Sequence, residues 1–242
     1  MLPTPTKKRK LEDESDERSL KKSRLSSDDD QVSRINLTSD GKSWVDVFKL
    51  PSDILPPLDS DEMTALWNLH PPDKGQVKIW GKPVETPRWQ QSYMKDYLFS
   101  GVRHQAIPLP EEVTKFLELA NKSKYVSMFG EECKFNMCFM NWYQDGSHYI
   151  GMHADDESDR VMTSDGQSLV YSISLGQERV FRLKPKAVGS DSTSIDIPMP
   201  HGTVIVMGGR CQLTHRHGVP KVGGKKGQLL SSRINITFRQ FK

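Results

Sequence analysis

Beyond Lys134 the sequence becomes a succession of short strands divided by turn-forming stretches, and this constrains the fold more than any other feature. Phe135, Met137, Phe139, Asn141 and Tyr143 alternate with a second set of residues, as in a strand with two distinct faces. Leu169 to Leu175, Arg179 to Leu183, Thr203 to Met207 and Arg233 to Phe241 also read as strands. Between them lie Asp145-Gly146, Asp165-Gly166, Gly189-Ser190-Asp191, Gly208-Gly209 and Gly223-Gly224, all with turn chemistry. Many short strands joined by turns predict a β-sandwich or jelly roll. Two helices are expected ahead of them. One spans residues 59–70, where Met63, Leu66 and Leu69 share a face and Asp59 followed by Glu62 resembles a capping box. The other follows Pro110, with Val113, Phe116, Leu117 and Ala120 at helical spacing. The fold class is therefore mostly β with flanking helices, an α+β chain without internal repeats.

The N-terminal segment is of another kind. Residues 1 to about 30 are polar, poor in aromatics and crowded with both charges, so they cannot bury enough apolar area to offset their ordering entropy. We expect a disordered charged tail over 1–40 and an ordered domain over 41–242. Lys7-Lys8-Arg9-Lys10 and, after a spacer, Lys21-Lys22-Ser23-Arg24 resemble a bipartite nuclear import signal. That predicts a nuclear protein with an import receptor as partner. The three cysteines, Cys133, Cys138 and Cys211, are odd in number and not spaced as a disulfide framework, which predicts a reducing setting. No apolar run has the length of a membrane span, so no membrane partner is expected. A monomer is expected. The net charge of +3 decides little, but its distribution is informative. From His201 to Lys242 there are eight Lys or Arg and no Asp or Glu, whereas from Asp145 to Asp165 Arg160 is the only basic residue among Lys and Arg. A basic surface beside an acidic pocket suits a protein that holds a cation and binds an anionic polymer.

Within the acidic stretch, His153-Ala154-Asp155 is a His-x-Asp pair. Residues two apart on a strand point to one face, so an imidazole and a carboxylate can meet one metal ion. A second His from a distant strand would complete a 2-His-1-carboxylate triad with three positions open. His215 and His217 are both candidates, and spacing alone does not choose between them. A lone His-x-Asp is commonly a hydrogen-bonded surface pair. Cys211 with the two histidines offers too few soft ligands for zinc. In the final strand Arg233, Asn235, Thr237 and Arg239 share one face and Ile234, Ile236 and Phe238 the other. Arginines on an inward face need anionic partners, and a dicarboxylate such as 2-oxoglutarate supplies two.

Taken together, Asn141-x-Tyr143, His153-x-Asp155, His217, Arg233 and Arg239 resemble the AlkB family of 2-oxoglutarate dioxygenases in order and spacing. The likeness runs from about Val77 to the C-terminus and is strongest to the nuclear, DNA-repairing animal branch. It is carried by Ile79-Trp80-Gly81-Lys82, Pro87-Arg88, Tyr97-Leu98-Phe99-Ser100-Gly101, His153-Ala154-Asp155-Asp156-Glu157 and Arg233 to Arg239. The resemblance implies a double-stranded β-helix core over 131–242 and a nucleotide-recognition lid with helices over 41–130. It implies iron held by His153, Asp155 and His217, and 2-oxoglutarate held by Asn141, Tyr143, Arg233, Thr237 and Arg239, with O2 as co-reactant. It further implies that Phe99 stacks on a flipped base and that Ser100 and Arg88 lie along the substrate. Asp156 and Glu157 would read the base edge, and Lys82 would contact phosphate beside a wedge at Trp80. Trp80 is larger than the phenylalanine expected at the wedge, and the first 75 residues do not match the family. The implied activity is oxidative demethylation of 1-methyladenine and 3-methylcytosine in alkylated, double-stranded DNA, with release of formaldehyde. Two other readings remain: the same chemistry on RNA or single strands, and a lesion- or metal-binding jelly roll without turnover.

Overall fold

The computed structural model describes residues 32–99, 101–127, 134–155, 161–162, 166–187 and 193–242, with the backbone alone at Ile79 and Phe99. The first strands in chain order are β1 (Ser33–Asn36), β2 (Ser43–Lys49), β3 (Gln76–Ile79) and β4 (Lys82–Glu85). Next come β5 (Trp89–Tyr93), β6 (Tyr97–Phe99), β7 (Val102–His104), β8 (Ala106–Ile107), β9 (Met137–Tyr143) and β10 (Ile150–His153). The last are β11 (Val170–Gly176), β12 (Arg179–Pro185), β13 (Ile195–Met199), β14 (Thr203–Gly209), β15 (His215–Val219) and β16 (Arg233–Arg239). The helices among the described residues are α1 (Asp61–Asn68), α2 (Glu111–Lys122) and the short α3 (Lys124–Ser127), α4 (Cys211–Thr214) and α5 (Gly224–Gln228). None is long and apolar enough to cross a membrane.

Two sheets carry the fold. The major sheet has the order β1-β2-β14-β11-β16-β9-β5-β8 and the minor sheet β10-β15-β12-β13. Hairpins β3-β4 and β6-β7 stand apart from both. All seven residues of β9, β14 and β16 are buried, because the major sheet is covered on both faces. On one face Cys138, Met140 and Trp142 of β9 and Ile234, Ile236 and Phe238 of β16 pack with Leu66 of α1 and Val113, Phe116 and Ala120 of α2. Trp142 Nε1 donates to the carbonyl of Leu66 at 2.9 Å, which fixes α1 to the sheet. On the other face Tyr143, Val170, Ile205 and Met207 meet Phe181, Leu183, Ile197, Met199 and Val219 of the minor sheet. This is the jelly roll the strand pattern predicts. The alternation of β16 then directs Arg233, Asn235, Thr237 and Arg239 into the space between the sheets.

Several boundaries differ from expectation. The chain joins the sheet at β1, inside the 1–40 span expected to be disordered; residues 1–31 lie outside the described residues. Ser33–Asn36 carries no apolar pattern, and pairing orders it: Arg34 donates twice to Asp46, at 2.7 and 2.8 Å, and Tyr125 Oη donates to the same carboxylate at 2.9 Å. The sandwich also takes β2, β5 and β8 from 41–130, the part of the chain expected to form helices and lid. Gly208-Gly209, expected as a turn, ends β14, where a Cβ on Gly208 would stand 2.1 Å from the Trp44 ring. The first helix is capped by Ser60, whose Oγ accepts from Met63 N at 3.2 Å, rather than by Asp59.

Candidate metal centre and cosubstrate pocket

The pocket between the sheets is lined by both strand faces singled out in the sequence, Asn141 and Tyr143 of β9 and Arg233, Thr237 and Arg239 of β16. The minor sheet supplies the remainder. β10 and β15 pair so that His153 and His217 are directly opposite. Gly218 permits that approach, since a Cβ there would stand 2.8 Å from the carbonyl of Ile150. Asp155 follows β10 and is fully buried. Ligand atoms of His153, Asp155 and His217 all lie within 4.8 Å of one another, the group expected from the resemblance. His215 is buried elsewhere on β15, with Nδ1 2.8 Å from Thr214 Oγ1. Of the two histidines that spacing leaves open, the geometry brings His217 into this group.

The electrostatics suit a divalent cation. His153 Nδ1 donates to the carbonyl of Gly151 at 2.9 Å, which turns Nε2 toward Asp155 Oδ1, 3.6 Å away. His217 Nε2 is 3.9 Å from Asp155 Oδ2. Burial lowers the basicity of both imidazoles, that of His217 to about 3, where the neighbouring His153 also contributes. Both rings are therefore neutral, as ligands must be. Burial alone would push the Asp155 carboxyl up, but the Arg239 charge, joined at low pH by the two imidazoles once protonated, outweighs it and holds the carboxyl well below the usual carboxylate range. Arg239 Nη2 and Nε donate to Asp155 Oδ2 at 2.8 and 3.2 Å, and Gln212 Oε1 accepts from Asp155 N at 2.9 Å. Asp155 Oδ1 is left buried without a hydrogen bond. An ionised, oriented carboxylate oxygen with no donor, beside two neutral imidazoles, fits Fe(II).

One of the two anions expected for the β16 arginines is thus the protein's own Asp155. Arg233 is different. It is 1% exposed, yet no carboxylate pairs with it among the described residues. Nε donates to Ser174 Oγ at 2.9 Å, Nη2 faces Met199 Sδ at 3.5 Å, and the cation lies over the Tyr143 ring at 4.9 Å. Nη1 has no hydrogen-bond partner. Burying an uncompensated guanidinium is expensive, so this position calls for an anion, and a carboxylate of 2-oxoglutarate fits. Arg88 is likewise buried; its Nε donates to Asn141 Oδ1 at 2.7 Å, and Nη2 has no partner. Sequence reasoning missed Ser174 and Gln212. Ser172 and Ser174 alternate with apolar residues on β11, and that pattern could have identified the serines; Gln212 gave no signal.

Of the residues expected along the substrate, Arg88 is the buried one already described, bonded to Asn141, and the others divide into two groups. Trp80 and Gly81 form a two-residue turn between β3 and β4, both with positive φ (53° and 76°), and Trp80 is 97% exposed. Lys82 is exposed beside it. Phe99 ends β6, but its side chain, Ser100, Asp156 and Glu157 lie outside the described residues.

A jelly roll that presents two neutral imidazoles and a carboxylate beside a buried arginine requiring an anion is the architecture of the iron enzymes that use a 2-oxo acid. The comparisons agree. A family profile described as the 2OG-Fe(II) oxygenase superfamily matches residues 75–239. The chain is 28% identical over 176 residues to the human DNA oxidative demethylase ALKBH2, covering 68% of this chain and 60% of that protein. It is 31% identical over 111 residues to mouse alpha-ketoglutarate-dependent dioxygenase alkB homolog 3, covering 43% and 36%. A DNA oxidative demethylase ALKBH2 of Arabidopsis thaliana is 31% identical over 126 residues, covering 44% and 38%. The matches thus span at most about 60% of these three proteins' lengths. The chain belongs to the 2OG-Fe(II) oxygenase superfamily, and its similarity to AlkB-type relatives supports an AlkB-family dioxygenase within it. Fe(II), 2-oxoglutarate and O2 are the groups this family uses.

Proposed function

We propose that the chain is an Fe(II)- and 2-oxoglutarate-dependent dioxygenase that removes N-methyl groups from 1-methyladenine and 3-methylcytosine in duplex DNA. One observation carries the chemistry. A single pocket holds a buried carboxylate oxygen that needs a cation, Asp155 Oδ1, and a buried guanidinium nitrogen that needs an anion, Arg233 Nη1. With iron and cosubstrate bound, the chemistry supplied is hydroxylation of the methyl carbon, which is then lost as formaldehyde, coupled to decarboxylation of 2-oxoglutarate to succinate. The chain's own residues orient the reactants and set their charge. His153, Asp155 and His217 hold the metal, and Arg239 keeps Asp155 ionised and fixed. Arg233 receives a carboxylate, with Tyr143 beside it and Thr237 further along the same pocket, and Arg88 fixes the amide of Asn141.

Trp80 supports duplex DNA as substrate. A type I′ turn favours Asn or Gly at its first central position, and a left-handed bulky residue costs roughly 1–2 kcal/mol. An indole 97% exposed at such a turn has no packing reason to be there. It is free to enter a base stack where the damaged base has left, a departure that costs a few kcal/mol in a duplex and little in a single strand. Lys82 beside it would contact phosphate, and Phe99, Ser100, Asp156 and Glu157 complete the proposed base contacts. Replacing Trp80 by alanine should slow repair of one methylated oligonucleotide by roughly ten-fold or more when annealed, on the scale of base–aromatic stacking, and much less when free. Equal losses on the two forms would remove the case for a duplex. The basic clusters at Lys7–Lys10 and Lys21–Arg24 would take the enzyme to the nucleus, and a fluorescent fusion with both clusters changed to alanine should then stay in the cytoplasm. Unaltered nuclear fluorescence would rule them out as the signal.

A further inference from the structure

We propose that the acidic end of the N-terminal tail, Leu25 to Asp30, docks in a groove on the helix-covered side of the major sheet, away from the pocket. The groove runs between the end of β2 and the α2–α3 junction. Its floor is apolar, with Phe48, Leu119 and Tyr171, and its rim is cationic, with Lys49, Lys122 and Lys124. Lys49 Nζ donates to the carbonyl of His201 at 2.8 Å, and Lys122 reaches Glu118 at 3.3 Å on the open surface. Lys124 pairs with no carboxylate among the described residues and lies over the Tyr125 ring at 5.5 Å. The rim therefore keeps a positive excess over an apolar floor, which matches a short segment that is acidic and carries one apolar side chain.

The occupant follows from where the chain enters. Val32, the first described residue, lines this groove, so the segment that precedes it is tethered at the groove's edge. The sequence just before it reads Leu25-Ser26-Ser27-Asp28-Asp29-Asp30-Gln31. At about 3.3–3.6 Å per residue, the three aspartates can stand no more than roughly 7–14 Å from Val32, whatever path the chain takes. Tethered so closely, the carboxylates face the lysines at an effective concentration on the order of millimolar before any affinity is added. Leu25 is then within reach of the floor formed by Phe48 and Leu119. The charge order of the tail supports the same register. The rim would repel the basic stretches at residues 7–10 and 21–24; of the two runs of three acids in the tail, Glu12–Glu14 and Asp28–Asp30, only the second lies within a few residues of Val32.

The test is hydrogen exchange on the full chain, read at peptides covering residues 25–31 and the α2–α3 junction. The parent is compared with Asp28→Lys/Asp29→Lys/Asp30→Lys, with Lys122→Glu/Lys124→Glu, and with all five changes together. Docking predicts that amides of residues 25–31 exchange roughly ten-fold more slowly in the parent than in either partial reversal. It also predicts that protection returns when both sides are reversed, and that it weakens in both protected forms as salt is raised. The milder Lys122→Gln/Lys124→Gln variant should show partial loss if charge reversal disturbs α2. Equal exchange in all variants overturns the proposal. So does protection lost on changing the lysines but unaffected by the aspartates, which would assign the groove to a separate acidic partner. Protection that rises with protein concentration would assign it to the tail of a second copy, and also overturns docking within one chain.

Discussion

Arg239→Met tests the link between the pocket's charge and its metal. The guanidinium makes two charged hydrogen bonds to one oxygen of Asp155, at 2.8 and 3.2 Å, with both groups buried. Methionine retains much of the volume and removes both bonds. Breaking a buried pair by deleting one partner costs about 3–5 kcal/mol, because the remaining charge is left uncompensated. Asp155 avoids that cost by taking a proton, and a protonated carboxyl is a poor ligand. Partners that orient a ligand are typically worth 10- to 100-fold in metal affinity, so Arg239→Met should weaken Co(II) or Fe(II) binding by about that factor at neutral pH. The pH dependence has a definite sign. In the parent the folded carboxyl lies below its ordinary value, so the stability it contributes is complete above an unfolded pKa of about 3.9 and is lost only as pH falls through the lower folded value. In the variant burial pushes the carboxyl up, and metal affinity should rise steeply with pH through the weakly acidic range where the parent is flat. The assay is Co(II) absorption titrated anaerobically at pH 5.5 and pH 7.5, with circular dichroism to confirm folding. A folded variant with parental affinity and parental pH dependence would mean that Arg239 does not set the charge of Asp155.

Arg233 provides the contrast, since its bonds run to Ser174 and Met199 and its cation lies over Tyr143. Arg233→Met should leave Co(II) affinity within a factor of two or three and weaken 2-oxoglutarate binding ten-fold or more, the loss of one charged hydrogen bond of about 1.5–3 kcal/mol; calorimetry with metal present measures both, and unchanged 2-oxoglutarate affinity would show that another group receives the anion. His217→Ala should abolish stoichiometric iron binding, whereas His215→Ala should keep it, because His215 bonds to Thr214 outside the triad. The opposite ranking in metal content would mean that β15 presents its other histidine.

The parts of the fold legible in sequence are those where periodicity follows burial. β9, β11, β12, β14 and β16 were each marked by apolar residues, because their neighbours lie on both faces or on a clear inner face. α1 and α2 were marked by a single apolar stripe against the sheet. The strands that escaped have physical reasons to be quiet. β13 contains Pro198, which argues against a strand unless it lies at an edge, where β13 lies. β6 and β7 are three residues each, too short to show a period. β1 is held by the Arg34–Asp46 pair, a contact between positions twelve apart that no local pattern announces. At the site, the spacing of His153 and Asp155 gave two ligands, and the family resemblance gave His217. What neither gave was the partition of the two β16 arginines, one neutralised by Asp155 and the other left for a ligand. That depends on how the 153–155 segment packs against β16 across the barrel, which is a tertiary fact.

In the proposed reaction the triad and the arginine pocket together couple 2-oxoglutarate decarboxylation to removal of a base methyl group. The most direct measurement follows succinate, formaldehyde and restored base in one reaction containing Fe(II), 2-oxoglutarate, O2 and a DNA oligonucleotide bearing a single 1-methyladenine. The parent should form all three in equal amounts, and folded His153→Ala or Asp155→Ala none above background. Succinate without repaired base, or repair that persists in either variant, would contradict this coupling.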